Sequence, residues 1–223
     1  MKLSDPAFLL PERKERIDRA VANRTRTLTL VMEAFCDPQN VNAVLRTCEG
    51  FGVQEVHIVE GPAKPYHRNR KISQNADKWL DVLRWRSTAE CLDALRARSF
   101  SVYATELCED SRPLGELSFA GKVALVFGNE QRGVSAEALS RADLRYAIPM
   151  RGLVPSLNVS VAVAVSLFRA AECRERERGR HGDLDEAEAA ELRERFYLLA
   201  LKQRSRIARA ESAGSGWSRQ SRD

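Results

Sequence analysis

Apolar positions along this chain switch repeatedly between helical and strand spacing, and the switches set out its organisation. Pro11 to Arg26 is charged at most positions, with Ile17, Ala20 and Val21 on one narrow side, which predicts a helix that packs on a single face. Thr27 to Ala34 alternates and is rich in β-formers, the pattern of a strand. Asp37-Pro38 interrupts it, and Val41, Val44, Leu45 and Cys48 then fall at helical spacing between Gln39 and Phe51, closed by Gly50 and Gly52. Glu55 to Val59 returns to strand. Beyond it, strands over Leu80–Trp85, Phe100–Thr105, Lys122–Phe127 and Tyr146–Pro149 alternate with helices over Thr88–Arg98 and Ser135–Ala142, the second opened by an N-cap serine. A long helix, Ser156–Arg178, begins apolar all round and ends charged. Gly179, Gly182 and Asp183 break it before a last helix from Glu186 to about Ala210, with Leu192, Phe196, Leu199 and Leu201 on one side.

Strands that alternate with helices predict an α/β fold: an open, mostly parallel sheet with helices on both faces and short helical extensions at both ends. The run VALVF at 123–127 suits a central strand covered on both sides. The expected organisation is a basic helical extension over 1–26, a core domain over 27–178, a helical extension over 179–211 and a disordered tail over 212–223. With 223 residues, 43% hydrophobic and 30% charged, the chain can bury a core without crosslinks. It holds no apolar run of about 18 residues, which excludes a spanning helix of that kind. Its opening, MKLSDPAFLLPERKER, lacks a secretory apolar stretch and points to the cytoplasm. Five cysteines without a CxxC pair fit neither a disulfide framework nor a metal site, and no metal is expected.

The net charge of +5 is a small difference between 36 basic and 31 acidic residues, so its placement matters more than its sum. In the runs Arg13–Arg19 and Arg174–Arg178 acids alternate with the bases, which reads as a solvated helix face. Between Lys64 and Arg86 the balance differs. Lys64, Arg68, Arg70 and Lys71 lack acidic neighbours, and Tyr66, Trp79 and Trp85 are interleaved among the basic residues of that stretch, a mixture suited to phosphate tracking and base stacking. Arg13 and Arg24 in the N-terminal segment join these four as candidate nucleic-acid contacts.

Familiar nucleotide signatures are missing. No GxGxxG follows the first strand, and the glycines of GNEQRG at 128–133 are not followed by Lys-Ser or Lys-Thr. His57, inside a strand, reads as a packed histidine. What remains are three polar islands at strand ends, where open α/β sheets bind ligands. They are Pro38–Thr47, with Asn40 and Arg46; Phe127–Ser135, with Glu130; and Ile148–Ser160, with Ser156 and Asn158. Taken singly, Asn40, Ser156 or Asn158 could each be a helix N-cap and Arg46 a surface cation.

Taken together, Asn40 with Arg46, FGNExxGVS and IPMxGxxxSLNVSVA resemble the three signature motifs of the SpoU branch of the SPOUT RNA methyltransferases, in the same order and after strands, over residues 27–172. The resemblance implies a deep C-terminal trefoil knot that holds S-adenosylmethionine, and 2′-O-methylation of an RNA ribose. By the same match Arg46 acts on the 2′-hydroxyl, Asn40 positions Arg46 or the ribose, and Glu130, Ser156 and Asn158 complete the site. Thr105, Gly128, Ile148, Met150 and Leu157 would line the donor pocket, largely through backbone groups. A guanidinium group is fully protonated at neutral pH, so Arg46 acts either as a base with a lowered pKa or phosphate help, or as an orienting and charge-stabilising group. About 26 residues precede the first strand, too few for the separate RNA-binding domain of many ribosomal-RNA members. The short basic N-terminal helix, the helices after the third motif and the motif's own wording are most similar to the members that methylate guanosine 18 of the tRNA D-loop; the alternatives are a ribose in ribosomal RNA or at another tRNA position, and, from a different class, a non-catalytic RNA-binding protein on the same scaffold. The family resemblance further implies a homodimer joined through its knot helices.

Overall fold

A computed structural model of the chain describes residues 9–60 and 76–214, with side chains described through Lys202. They form two compact units, one within residues 23–183 and the other from residues 9–22 with 184–214.

The larger unit is built on one seven-stranded sheet. Its strands are β1 (Leu28–Glu33), β2 (Glu55–Val59), β3 (Asp81–Trp85), β4 (Ser101–Thr105), β5 (Arg112–Pro113), β6 (Val123–Phe127) and β7 (Leu144–Ala147), in the spatial order β3-β2-β1-β6-β4-β7-β5. Every pairing is parallel, with Leu30 opposite Val56 on one side and Leu125 on the other. Helices α2 (Pro38–Gly50), α3 (Thr88–Ala97), α4 (Ala136–Ser140) and α5 (Val159–Arg178) complete the unit. β1 and β6 are buried at every position, because apolar layers cover both faces. Leu30, Val44, Leu45, Phe127, Val163 and Leu167 lie in one layer; Val31, Leu92, Leu95, Val102 and Val126 lie in the other. Each fully buried side chain of this size contributes roughly 1.5–3 kcal/mol before entropy is counted.

The strand order carries the functional geometry. β7 is the last strand in the chain, yet it lies between β4 and β5. The connections β4 to β5, β5 to β6 and β6 to β7 therefore all cross the same half of the sheet, a departure from the usual simple winding. This is the half in which the resemblance places the donor pocket.

In the smaller unit α1 (Pro11–Ala22) packs along α6 (Glu186–Gly214). Ile17 and Val21 are buried, as are Leu192, Phe196, Ala200 and Leu201. Arg193 Nε and the Tyr197 hydroxyl both donate to Asp18, at 3.0 and 2.7 Å. The two ends, expected as separate extensions, are grouped in the structure, since each carries an apolar stripe that needs a partner. Helix α6 continues past residue 211 to Gly214, and residues 215–223 of the expected tail lie outside the described residues.

Two further expectations change. Arg174, read as part of a solvated run, is fully buried, because its guanidinium donates to the carbonyls of Phe119 and His181 and to the carboxylate of Asp183. Helix α1 ends at Ala22, four residues before the expected Arg26, and Arg24 falls in the connection that follows. Among the described residues no helix is long and apolar enough to cross a membrane.

Candidate active site

All strands being parallel, their C-terminal ends share one edge of the sheet, and the three polar islands leave from that edge. Immediately after β1, Ala34 adopts a left-handed backbone (φ 53°) and turns the chain toward α2. Asp37 caps α2 by accepting from the Gln39 amide at 2.8 Å, and Pro38 stands at the first helical position, where no amide proton is needed. The cap is thus Asp37, which leaves the Asn40 side chain for other work.

Glu130 supplies that work. Its carboxylate accepts from the backbone amides of Cys36 (3.0 Å) and Asp37 (3.3 Å) and from Asn40 Nδ2 (3.0 Å). Partial burial acts to raise its pKa, but the hydrogen bonds from Cys36, Asn40 and Asp37 outweigh it and hold the carboxyl below its ordinary range. At neutral pH Glu130 is an ionised acceptor set against the amino end of a helix. Asn40 Oδ1 in turn accepts from Asn158 Nδ2 at 3.2 Å. Asn158 is the N-cap of α5, its Oδ1 accepting from the Ser160 amide (2.8 Å) and hydroxyl (2.6 Å). One hydrogen-bonded bridge, Glu130 to Asn40 to Asn158, therefore joins residues from all three islands.

Arg46 lies further along α2 and is exposed, and Ser156 is exposed in the loop ahead of α5. Thr105 closes β4, with its hydroxyl on the Val126 carbonyl at 3.2 Å. Gly128 follows β6, Ile148 and Met150 follow β7, and Leu157 precedes α5. Since β6, β4 and β7 are neighbours in the sheet, these positions leave from adjacent strand ends. Gly128 is required by packing: a Cβ there would lie 2.1 Å from the Gly133 carbonyl group, because the loop closes on itself through the Gly133 amide and Asn129 carbonyl (2.8 Å). Residues 148–157 belong to neither helix nor strand, so their backbone groups are not committed to a ladder. Backbone groups outside any ladder, on an island joined to an ionised carboxylate through Asn158 and Asn40, suit a nucleoside-bearing cationic cofactor. Among the described residues no cluster of metal ligands occurs.

The RNA candidates fare differently. Arg24 is only 1% exposed, and its guanidinium donates to the Val53 carbonyl (3.3 Å) and Glu49 carboxylate (3.0 Å). This removes it from any RNA-contacting surface. Arg13 lies on α1 in the smaller unit and is half-buried. Lys64, Arg68, Arg70 and Lys71 lie outside the described residues. Two residues escaped the sequence reading. Asn129 donates to the Ala34 carbonyl at 2.8 Å and accepts from the Gln131 and Arg132 amides. Glu33, buried at the end of β1, accepts from Ser135 and Thr88. A carboxylate ending an otherwise apolar strand was the available signal.

Residues 27–168 match the model of the SpoU rRNA Methylase family. The chain belongs to that SpoU methylase family. Among curated relatives, a Borreliella burgdorferi tRNA (guanosine(18)-2'-O)-methyltransferase is 34% identical over 195 residues, 87% of this chain and 88% of the relative. A Thermus thermophilus protein of the same name is 41% identical over 158 residues, 71% of this chain and 81% of the relative. Among solved structures, the A. aeolicus TrmH/SpoU tRNA modifying enzyme superposes with a TM-score of 0.75 at 29% identity, covering 83% of this chain and 95% of that one. The SpoU match spans all three islands and all seven strands of the sheet.

Proposed function

We propose that this SpoU-family chain is an S-adenosylmethionine-dependent tRNA methyltransferase that modifies the ribose 2′-oxygen of guanosine 18. The observation that carries the reading is the bridge from Glu130 through Asn40 to Asn158, which ties the three motif islands into one polar cluster at the strand ends. The names of the curated relatives supply the position on tRNA.

S-adenosylmethionine, when bound, supplies an electrophilic methyl group. The chain must hold the ribose in line with that methyl and stabilise the charge that develops as the O–CH3 bond forms, the S–CH3 bond breaks and the hydroxyl proton passes to a neighbouring RNA phosphate or to water. Arg46, exposed on α2 and carried by the helix that the bridge anchors, takes the second role by orienting the ribose or an adjacent phosphate. Asn40 keeps α2 in register with the other two islands, and Glu130 provides a fixed negative charge beside the donor. Ser156 borders the same space. Thr105, Gly128, Ile148, Met150 and Leu157 would hold the donor, chiefly through their backbones.

The proposed assembly is a homodimer formed through the exposed side of α5, and tRNA as partner places the protein in the cytoplasm. The activity is tested by transfer of labelled methyl to an unmodified tRNA transcript, followed by mapping of the modified nucleoside. Label is expected in 2′-O-methylguanosine at position 18, and a transcript with 2′-deoxyguanosine there should accept none. Arg46→Ala should lower kcat about 10²–10⁴-fold with donor affinity unchanged. Absence of ribose methylation on any tRNA would overturn the reading, and wild-type turnover by Arg46→Ala would remove that residue from its role.

A further inference from the structure

Glu33 is 4% exposed and ends the central strand β1. One carboxylate oxygen accepts from the hydroxyls of Thr88 (2.5 Å) and Ser135 (2.6 Å), and the other accepts from the Ser135 amide (2.9 Å). Among the described residues no cation reaches it. A buried carboxylate satisfied by neutral donors is a poor choice for stability alone, since its desolvation is costly and an apolar side chain would fill the space more cheaply. Nor is it needed for capping: Ser135 caps α4 by accepting from the Ala138 amide at 3.1 Å, whatever its own proton does.

Its neighbours supply the reason. The last residue of β1 and three residues of the linker to α2 hold the loop after β6. Glu33 holds Ser135, the Ala34 carbonyl holds Asn129, and the amides of Cys36 and Asp37 hold Glu130. The loop is thereby stitched at Asn129 and Glu130 to the linker and at its exit, Ser135, to β1. At the exit, the side-chain hold is Glu33.

We propose that Glu33 is a positioning residue: it seats the exit of the 128–135 loop on β1 and so fixes the place of Glu130 and of the donor-facing backbone. The inference rests on the methyltransferase reading for its kinetic part and on the loop geometry for the rest. Glu33→Gln keeps size but turns an amide donor toward Ser135, whereas Ser135→Ala removes the hydroxyl and leaves the carboxylate. Both should speed hydrogen exchange at the amides of 129–135 about tenfold or more, with exchange in β2 and β4 unchanged. Both should lower kcat by about 10- to 100-fold while KM for tRNA stays within about twofold. The double variant should be no worse than the poorer single one, and Ser135→Thr, which keeps the hydroxyl, should behave as wild type. Unchanged exchange in the loop, additive losses, or loss of stability with full turnover would each overturn the assignment. If the wild-type protein methylates no tRNA, the exchange and non-additivity measurements still decide the role of Glu33, while the methyltransferase reading alone fails. Should Glu33→Gln not fold, Thr88→Val, which removes a donor to the same carboxylate oxygen and leaves the Ser135 cap of α4 in place, carries the comparison.

Discussion

Away from the strand-end cluster, Glu55 at the start of β2 shows how a buried carboxylate is kept charged. It accepts from His57 Nε2 (3.0 Å) and from two nitrogens of Arg98 (2.5 and 3.3 Å), while His57 Nδ1 accepts from the Trp85 indole at 2.9 Å. Burial acts to raise the Glu55 pKa, but the hydrogen bonds from His57 and Arg98 and the Arg98 charge bring it from 4.5 down to about 2. Because the folded form holds its proton less tightly than the unfolded form, the stabilisation is complete above about pH 4.5 and is lost as pH falls toward 2. Glu55→Gln should therefore cost about 2–3 kcal/mol at pH 7, the lower end reflecting the half-exposed Arg98, and much less at pH 3. Urea unfolding of both proteins at the two pH values checks this; an equal gap at both would mean that the charge is not responsible. His57 was legible in advance as a packed histidine because it lies inside an apolar strand. In the strand-end cluster the signature residues were legible too, since their types and spacings are local. The hydrogen bonds of Glu33 and Asn129 were not, because they link positions about a hundred residues apart.

At the scale of elements, α5 is fastened at both ends. Asn158 caps its start, and its last turns are held by Asp183, which accepts from Thr25 (2.5 Å), from the Arg26 amide (2.8 Å), and from Thr27 and Arg174. Burial alone would raise the Asp183 pKa, but the Thr25, Thr27 and Arg26 hydrogen bonds and the Arg174 charge hold it below the ordinary range. Asp183→Ala would leave Arg174 buried and uncompensated, and should cost about 3–5 kcal/mol. Arg178→Ala, which removes a partly exposed partner 3.5 Å from the same carboxylate, should cost under about 1 kcal/mol. Denaturant titration of the two variants separates a buried keystone from a surface pair, and equal losses would contradict the assignment. Helices and long strands were readable from periodicity here. The two-residue β5 was too short to carry a period, and β7 begins at Leu144, two residues early, because only Tyr146 in it is fully buried. Strand order was not readable at all: local spacing says which segments are strands and nothing about β7 slipping between β4 and β5.

For the whole molecule, the two sides of α5 pose the remaining question. Val163, Leu167 and Ala170 face the core, whereas Val161, Val165 and Phe168, one side of the helix by their spacing of four and three, are 46%, 37% and 54% exposed. Leu153 and Val154 in the loop before the helix are exposed as well, and the Phe168 ring meets Phe51 edge-on with centroids 6.5 Å apart. Apolar surface that is contiguous rather than scattered marks an interface, and a helix face that meets its own copy needs no other partner. The proposed dimer therefore makes a sharp prediction. Sedimentation at micromolar concentration should give twice the chain mass, and Val165→Asp with Phe168→Asp should give single chains of unchanged helix content, because both side chains lie outside the buried core and Phe168 gives up only its edge contact with Phe51. Each burial is worth on the order of 1 kcal/mol for a half-exposed residue, and a twofold interface loses every one twice while placing four carboxylates in contact. The dissociation constant should rise at least about 10³-fold. If the wild-type chain sediments as a monomer, the exposed side of α5 is not a self-interface; if the charged variant stays dimeric, the dimer is held by another surface. Should the monomeric variant also lose turnover while still binding S-adenosylmethionine, the substrate site is shared between two chains; full activity would place it within one.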